Sequence, residues 1–275
     1  MTPKPNKAPL ENSYYNRELS WLQFNARVLQ EAEDSSTPLL ERLRFIGIFS
    51  NNLDEFFKVR YATIKRIADA GKGGRSFLGG IPASKLMELI TQTVIKQQKT
   101  SLGILSGIKQ ELKKEQIYMI NETQVSKSQS EFIEDYFLQK VSPAMVVIMI
   151  GELKEFPSLK DSAAYLAVKM EMTTDNTTFD SKHNYALIEI PKNVERFVEL
   201  PSHDGKKYII ILDDLIRYML HKIFSIFKYD HISAHMIKIT RDAALDIESD
   251  LSKSFIDKIS KSVKIFLEFF FKKLL

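Results

Sequence analysis

The segment from Ser50 to Arg60, SNNLDEFFKVR, concentrates the side chains of this sequence that are best able to bind a ligand. It holds two amides, two carboxylates, a lysine and an arginine. We expect this segment at a helix start, where unpaired N–H groups and the helix dipole favour an anion, so a nucleotide site is physically reasonable. The competing interpretation is a helix cap, because Asn52 followed by Glu55 has the spacing with which both side chains bond only to the backbone. The residues alone favour the cap.

The charged residues of this segment also have two interpretations each. Asp54 and Glu55 are adjacent, so on a helix they point in different directions and cannot alone build an octahedral magnesium site. Cap and dipole roles are therefore expected for them. Lys58 and Arg60 could reach a phosphate from the same helix, or they could lie on a solvated face, as such charges commonly do.

Two other patterns in the sequence have some features of a binding site. His231 and His235, in HISAHM, have the i, i+4 spacing of a helical metal-binding pair, but no glutamate or further ligand accompanies them and the following MIKIT favours a strand. We expect surface or core roles for both histidines and predict no metal ligands. Residues 71–80, GKGGRSFLGG, lack the spacing of a phosphate-binding loop and follow no strand, so a mobile connector is expected.

Composition limits the classes of function. The formal net charge is only +4, from 39 basic and 35 acidic residues, which does not predict a nucleic-acid partner. Cysteine is absent, which excludes disulfides and thiolate chemistry and fits a cytoplasmic protein. No apolar run reaches the roughly 20 residues of a transmembrane segment, and the N-terminus lacks the apolar core of a secretory signal. Residues 1–15 are expected to be a disordered lead-in.

The first part of the chain has helical periodicity. A helix from Arg17 to Asp34 is predicted, capped by Asn16 and with Glu18 and Asn25 mostly away from its apolar face, which comprises Leu19, Leu22, Ala26 and Leu29. A second helix is predicted from Pro38, breaking at Ser50 to Asn52, and a third from Leu53 to near Gly71. After Pro82 the pattern fits one long helix or a bent pair.

Short runs rich in branched and aromatic residues follow Gln116 and predict six strands, YMIN, VVIMI, AYLAVKM, YALIEI, KYIII and MIKIT. Helices are predicted from Ser126, from Asp213 and from Ser249. This order indicates a multi-domain protein, with an all-α N-terminal helical domain followed by an α+β domain. We place these domains at residues 16–110 and 111–264, and an atypical apolar tail at residues 265–275.

The run from Asn16 to Arg66 resembles, without a gap, the opening of bacterial polyphosphate kinases of the phosphohistidine type. Looser similarity continues through NYALIEIP, RFVEL, IIILDDLIRYML and ITRDAALDI, which resemble the α+β region called the head domain in that family. The similarity ends near Lys264. The match covers the N-terminal and head domains of the family.

The resemblance implies a phosphotransferase that moves the terminal phosphate of ATP reversibly onto inorganic polyphosphate, with Mg²⁺ and through a phosphohistidine. The second asparagine of the family's S-N-N-L-D-E motif contacts ATP, which assigns Asn52 to nucleotide binding, with Lys58 and Arg60 as possible supporting residues. The catalytic histidine falls beyond residue 275, so the chain would carry no catalytic residue and would be inactive alone. The head domain implies a homo-oligomer.

Two other functions remain open. The chain could be a non-catalytic interaction module that pairs with intact kinase subunits. It could also be a membrane-peripheral protein that uses the tail, IFLEFFFKKLL, as an apolar helix, although docking of that helix on the core is an alternative.

Overall fold

The structure, a computed structural model, describes residues 16–69, 81–150, 157–173, 183–203 and 205–239. The chain divides into two compact units, residues 1–108 and 109–275. The first unit is helical and the second combines sheets with helices, which confirms the predicted fold class. The lead-in at 1–15, the connector at 71–80, the helix from Ser249 and the tail at 265–275 lie outside the described residues.

Helix α1, Arg17–Glu33, begins at the cap predicted for it, because the Asn16 side chain accepts hydrogen bonds from the backbone N–H groups of Glu18 and Leu19. Its buried face differs from the predicted one. Glu18 and Asn25 are buried together with the following residues of the same stripe: Leu22, Leu29 and Ala32. The two polar residues lie on the inner face because each finds a partner there, as described below.

Helix α2, Leu39–Glu55, continues without interruption into a π-helical turn, Phe56–Tyr61, and then into α3, Ala62–Asp69. The break predicted at Ser50 to Asn52 is therefore wrong. Serine and asparagine favour helix ends because they compete for backbone hydrogen bonds. Here the buried side chains of Phe49, Leu53 and Phe56 continue the inward stripe across the polar run, and their packing keeps the backbone helical.

Helix α4, Ala83–Lys114, is one helix of 32 residues and not a bent pair. Its first part carries the buried residues Leu86, Ile90, Val94 and Gln97, and the Gln97 side chain donates to the Leu22 carbonyl at 2.9 Å. None of the helices in the described ranges combines the length and apolar character needed to cross a bilayer.

The second unit contains seven strands within the described ranges, arranged in two sheets. All six predicted strands are present, and the seventh, β5, was missed. Their bounds are β1 Ile117–Ile120, β2 Val146–Met149, β3 Ala163–Met172, β4 His183–Glu189, β5 Phe197–His203, β6 Lys206–Ile211 and β7 Tyr229–Ile239. One sheet has the order β1-β6-β5, with β1 parallel to β6, and the other is the antiparallel sheet β2-β4-β3-β7.

Strand β3 is buried on both faces of the larger sheet. Leu166, Val168 and Met170 lie in the main core of the unit, whereas Ala163, Tyr165 and Ala167 lie in a smaller cluster on the opposite face. Such a strand gives a nearly continuous apolar run, which explains why AYLAVKM was recognisable from sequence.

Helices supply the rest of the main core of the unit. Helix α5, Lys127–Tyr136, continues into a second π turn, Phe137–Val141, and buries Ile133, Phe137 and Val141. Helices α6, Leu212–Tyr218, and α7, Leu220–Ile223, follow β6 directly. The helices predicted from Ser126 and Asp213 are thus confirmed, and each starts within one residue of its predicted position. The second is divided into α6 and α7.

Candidate functional site

Asn52 lies in the interior of α2, with three further residues of α-helix after it and the π turn beyond. The predicted helix start at this segment is therefore wrong, and so are the cap roles of Asn52 and Glu55 and the dipole role of Asp54. Backbone N–H groups inside a helix are bonded to carbonyls one turn earlier and are not available to an anion. Any ligand contact made by this segment must come from its side chains.

The Asn52 side chain is held by a second asparagine, on α1. Its Nδ2 donates to Oδ1 of Asn25 at 2.9 Å, and Asn25 Nδ2 donates in turn to the Phe49 carbonyl at 3.2 Å. Asn25 is fully buried, with 0% of its surface exposed, whereas Asn52 is half-buried. A buried amide with both ends bonded is satisfied, so Asn25 is stable in the helix interface.

The outer edge of the Asn52 amide is open. Within the described part of the chain, its Oδ1 and second N–H make no other hydrogen bond. The buried side-chain atoms that lack a partner among the described residues lie elsewhere, on Gln97, Asn184 and Asp213, so Oδ1 of Asn52 is accessible to solvent. Asn52 can therefore offer one acceptor and one donor, side by side, to a ligand.

Arg60 forms an ion pair with the buried Glu18 of α1, at 3.1 Å between Nη1 and Oε2. The other oxygen of Glu18 accepts from Arg17, which is 82% exposed. Arg60 also lies over the ring of Trp21, with its guanidinium carbon 5.7 Å from the ring centroid. The charge of Arg60 is thus shared with a carboxylate, and its plane is supported by an aromatic face.

Between these two polar contacts lies an aromatic pair. The rings of Trp21 and Phe56 stack with centroids 5.0 Å apart and planes inclined at 22°. Phe56 is buried and contacts Phe57 edge to face at 5.8 Å. The stacked pair separates the amide contact from the ion pair and ties the π turn to α1.

We call the three contacts Asn25–Asn52, Trp21–Phe56 and Glu18–Arg60 the α1–α2 ladder. Residues 52, 56 and 60 are each four apart. In an α-helix a four-residue step exceeds one turn, but in a π turn, with its i→i+5 hydrogen bonds, four residues fall short of one. Because the two deviations oppose each other, the π turn keeps Arg60 on the same face as Asn52.

The other predicted supporting residue is not on this ladder. Lys58 lies in the π turn and is half-buried, but it is six positions after Asn52, a spacing that does not place two residues on one helix face. Asp54 and Glu55 follow Asn52 in the last turn of α2. The structure therefore brings Asn52 and Arg60 together on one face and does not bring Lys58 to them.

Three residues of the ladder were not singled out from the sequence as part of a site: Glu18, Trp21 and Asn25. Their spacing of three and four residues was the signal that could have revealed them, since it places a carboxylate, an indole and an amide on one face of α1. The spacing is easily overlooked, because the neighbouring apolar residues are sufficient to predict an inner face on their own: Leu19, Leu22, Ala26 and Leu29.

No metal centre is assembled by the described residues. Within them, no three histidine, aspartate or glutamate side chains come together closely enough to hold a metal ion. His231 and His235 both lie on β7, opposite Glu171 and Ala167 of β3. Four residues along a strand separate them by about 13 Å, too far to share a metal ion.

Two family models match the chain. The polyphosphate kinase N-terminal domain matches residues 14–120, and the polyphosphate kinase middle domain matches residues 128–265. The first match contains the whole α1–α2 ladder, and the second contains six of the seven described strands, all but β1.

Named relatives and a solved structure agree with these models. The polyphosphate kinase of Escherichia coli (strain K12) is 40% identical over 263 residues, and that of Vibrio parahaemolyticus is 38% identical over 260 residues; each alignment covers 92% of this chain and 36% of the relative. The crystal structure of polyphosphate kinase from Porphyromonas gingivalis matches with a TM-score of 0.71 and 27% identity, over 88% of this chain and 34% of that one. The chain thus spans about a third of the length of these relatives, and it belongs to the polyphosphate kinase family.

Proposed function

We propose that this chain supplies nucleotide contacts to a polyphosphate kinase, an enzyme that transfers the terminal phosphate of ATP reversibly to inorganic polyphosphate. Asn52 is the residue that contacts the nucleotide. The observation that carries the proposal is the open edge of its amide, which lies in a motif that matches the family without a gap. None of the five histidines of the chain is assigned as the phosphohistidine.

The chemistry of the ladder favours the base or ribose end of the nucleotide at Asn52. A neutral amide with one free acceptor and one free donor complements the edge of a base or a sugar hydroxyl, whereas phosphate groups prefer cations. Arg60, the cation on this face, is already paired with Glu18, which reduces its attraction for phosphate. The phosphates are therefore expected to extend away from Asn52.

The described residues do not fit a magnesium site of their own. Mg²⁺ requires oxygen ligands in octahedral geometry, and no cluster of three acidic or histidine side chains is found among these residues. When bound to the phosphates of ATP, Mg²⁺ neutralises part of their charge. We assign no residue of the described part as its ligand.

The proposal is tested by calorimetric titration of the chain with MgATP. Asn52→Ala removes the open amide and is expected to weaken binding about tenfold, since two hydrogen bonds of this kind contribute roughly 1–2 kcal/mol. Asn51→Ala is the matched control, because Asn51 is the same residue type, next in sequence, and exposed. Equal affinities of Asn52→Ala and the unsubstituted chain would contradict the role of Asn52.

We also infer that the chain self-associates through its second unit and that it acts in the cytoplasm, where ATP is available. Exposed apolar side chains at the sheet edges support the first inference: Val146 on β2 and Phe197 on β5 are 49% and 58% exposed. Light scattering over a range of concentrations is expected to give twice the monomer mass. A monomer at every concentration would contradict self-association.

A further inference from the structure

Asn25 is an unusual residue for the inner face of a helix. It is completely buried, and asparagine is mostly found at protein surfaces. Burying an amide is favourable only if its hydrogen bonds are made, and Asn25 makes one with each end of its amide. The arrangement of these two bonds fixes more than the position of Asn25.

The direction of the bonds follows from the chemistry of the Phe49 carbonyl, which can only accept. Asn25 must therefore turn its Nδ2 towards Phe49, and this leaves its Oδ1 facing Asn52, one turn later on the same helix α2. Since an oxygen of this kind can only accept, Asn52 must turn its own Nδ2 towards Asn25. The order of donor and acceptor on the outer edge of Asn52 is then determined as well.

No other contact fixes that orientation within the described part of the chain, because the bond to Asn25 is the one hydrogen bond that the structure records for the Asn52 side chain. An unrestrained asparagine can exchange its oxygen and nitrogen by a half-turn of the amide, and the two arrangements have nearly the same shape. The bond from Asn25 removes this freedom.

We propose that Asn25 is a positioning residue that locks the Asn52 amide in one orientation and thereby sets the preference of the site for adenine over guanine. This inference rests on the proposed function of Asn52. Adenine presents an amino donor next to a ring-nitrogen acceptor, and an asparagine amide pairs with such an edge through two hydrogen bonds. On the Watson–Crick edge, where adenine presents its amino group next to N1, guanine presents a carbonyl acceptor next to an N–H donor, which is the reverse order.

A locked amide complements one of these two orders and opposes the other. If the lock is removed, the amide can turn to meet either base, so the affinity for MgGTP rises relative to MgATP. The expected change is in selectivity. Substitution of a residue that only supports the fold would lower the affinities for MgATP and MgGTP together and would leave the ratio of the two affinities unchanged.

The test compares the affinities of the chain for MgATP and MgGTP in three variants. Asn25→Ala removes both bonds and is expected to lower the preference for MgATP about tenfold. Gln97→Ala is the matched control, because Gln97 is also a buried amide of the helical unit that donates to a carbonyl, and that carbonyl belongs to Leu22, which is not a residue of the ladder. It is expected to keep the preference unchanged, and thermal unfolding shows how far each variant is destabilised.

Asn25→Asp provides a rescue. A protonated aspartic acid has the shape of asparagine, donates through its O–H to the Phe49 carbonyl and accepts from Asn52 with its other oxygen. When ionised, it can no longer donate. Both forms accept from Nδ2 of Asn52, so Asn25→Asp is expected to keep the preference for MgATP that Asn25→Ala loses, and the lost donation to the Phe49 carbonyl is expected to appear only as lower stability at high pH.

A measurement without nucleotide tests the lock directly. In nitrogen-15 spectra of the chain, one Nδ2 proton of Asn52 is bonded to Asn25 and should exchange with water more slowly than the other. Asn25→Ala is expected to abolish this difference. Equal exchange of both protons in the unsubstituted chain would overturn the proposal, and so would an unchanged nucleotide ratio in Asn25→Ala.

The two proposals fail in different ways. If the exchange rates differ as expected but Asn52→Ala binds MgATP as tightly as the unsubstituted chain, Asn52 does not contact the nucleotide and the proposed function fails. If Asn52→Ala weakens binding while Asn25→Ala keeps the same selectivity, the nucleotide site stands and the lock is overturned.

Discussion

The carboxylate of Glu18 is buried between two arginines that differ in exposure. Arg60 contacts it with a side chain that is 34% exposed, whereas the side chain of Arg17 is 82% exposed. Removing the more buried partner, Arg60, is expected to cost more free energy of folding than removing the exposed Arg17. The buried carboxylate of Glu18 then stays out of water and has lost a charge that compensated its burial. We expect Arg60→Ala to destabilise the chain by about 1–3 kcal/mol.

Arg17→Ala is the matched control, since it removes a contact to the same carboxylate. Arg17→Ala is expected to lower the free energy of unfolding by less than about 1 kcal/mol, because an ion pair made by a solvent-exposed side chain contributes little to stability. Urea unfolding of both variants measures the difference. Equal destabilisation by the two substitutions would show that burial of the Arg60 side chain contributes nothing.

Single residues also show where sequence reasoning succeeds and fails. Asn16 was predicted as a cap because its type and position suffice for that role. Asn52 could be identified as a candidate only through a motif, since its spacing to Glu55 equally predicts a cap. Asn25 was placed on the outer face because a polar side chain next to an apolar stripe usually faces solvent, and its partner lies 27 residues away.

At the scale of elements, the junction after α4 holds a residue under backbone strain. Gln116, between α4 and β1, has a φ of 59°, in the left-handed region that side chains with a Cβ disfavour. Its carbonyl accepts from the Lys207 N–H at 2.9 Å, which holds β6 beside this junction. Gln116→Gly is expected to stabilise the chain by about 0.5 kcal/mol, after the greater entropy of glycine in the unfolded chain is deducted.

Glu115→Gly is the control, because its φ is not positive and glycine there brings only the entropic cost. It is expected to lower the unfolding temperature, whereas Gln116→Gly raises it. A lower unfolding temperature for Gln116→Gly would mean that its side chain contributes more than the relief of strain.

Helix α6 carries a carboxylate whose ionisation is disfavoured by folding. Burial raises the pKa of Asp214, against the opposing charge of its ion-pair partner Arg217, while the nearby Asp213 and Glu122 raise it further. A raised pKa in the folded state means that the stabilising contribution is complete below the unfolded pKa and is lost as pH rises through the folded pKa. As pH rises above about 4, the ordinary pKa of an aspartate, Asp214→Asn, which does not ionise, should lose less stability than the unsubstituted chain.

Denaturant unfolding at a series of pH values gives this comparison. Asp230→Asn, at an exposed position on β7, controls for the loss of one negative charge. Parallel pH dependence of the unsubstituted chain and Asp214→Asn would contradict the effect of burial.

The elements themselves were predicted with uneven success for physical reasons. The strands were found where both faces are buried, as in β3, because a continuous apolar run results. Strand β5, FVELPSH, was missed because it contains a proline and ends in polar residues, a composition typical of a loop. The uninterrupted helix through Ser50 to Asn52 could not be predicted, since it depends on the contacts of the flanking aromatic residues with α1.

At the scale of the whole molecule, the division into a helical unit and an α+β unit was predictable, because the period of the apolar pattern changes from that of helices to that of strands near Gln116. The pairing of strands was not. Strand β1 is parallel to β6, and β3 lies between β4 and β7, and neither arrangement has a signal in the local sequence.

The pairing of β1 with β6 has a consequence for how the protein is made. The partner of Ile117 is Lys207, 90 residues later in the chain, whereas the α1–α2 ladder joins Asn25 to Asn52 over 27 residues. A ribosome adding about 5–20 residues per second completes the helical pair first and leaves β1 without its partner for roughly 5–18 seconds. During that interval the nascent strand exposes the apolar side chains of Met119 and Ile120 together with an unpaired backbone edge, which makes this segment prone to association with other chains until β6 has been made.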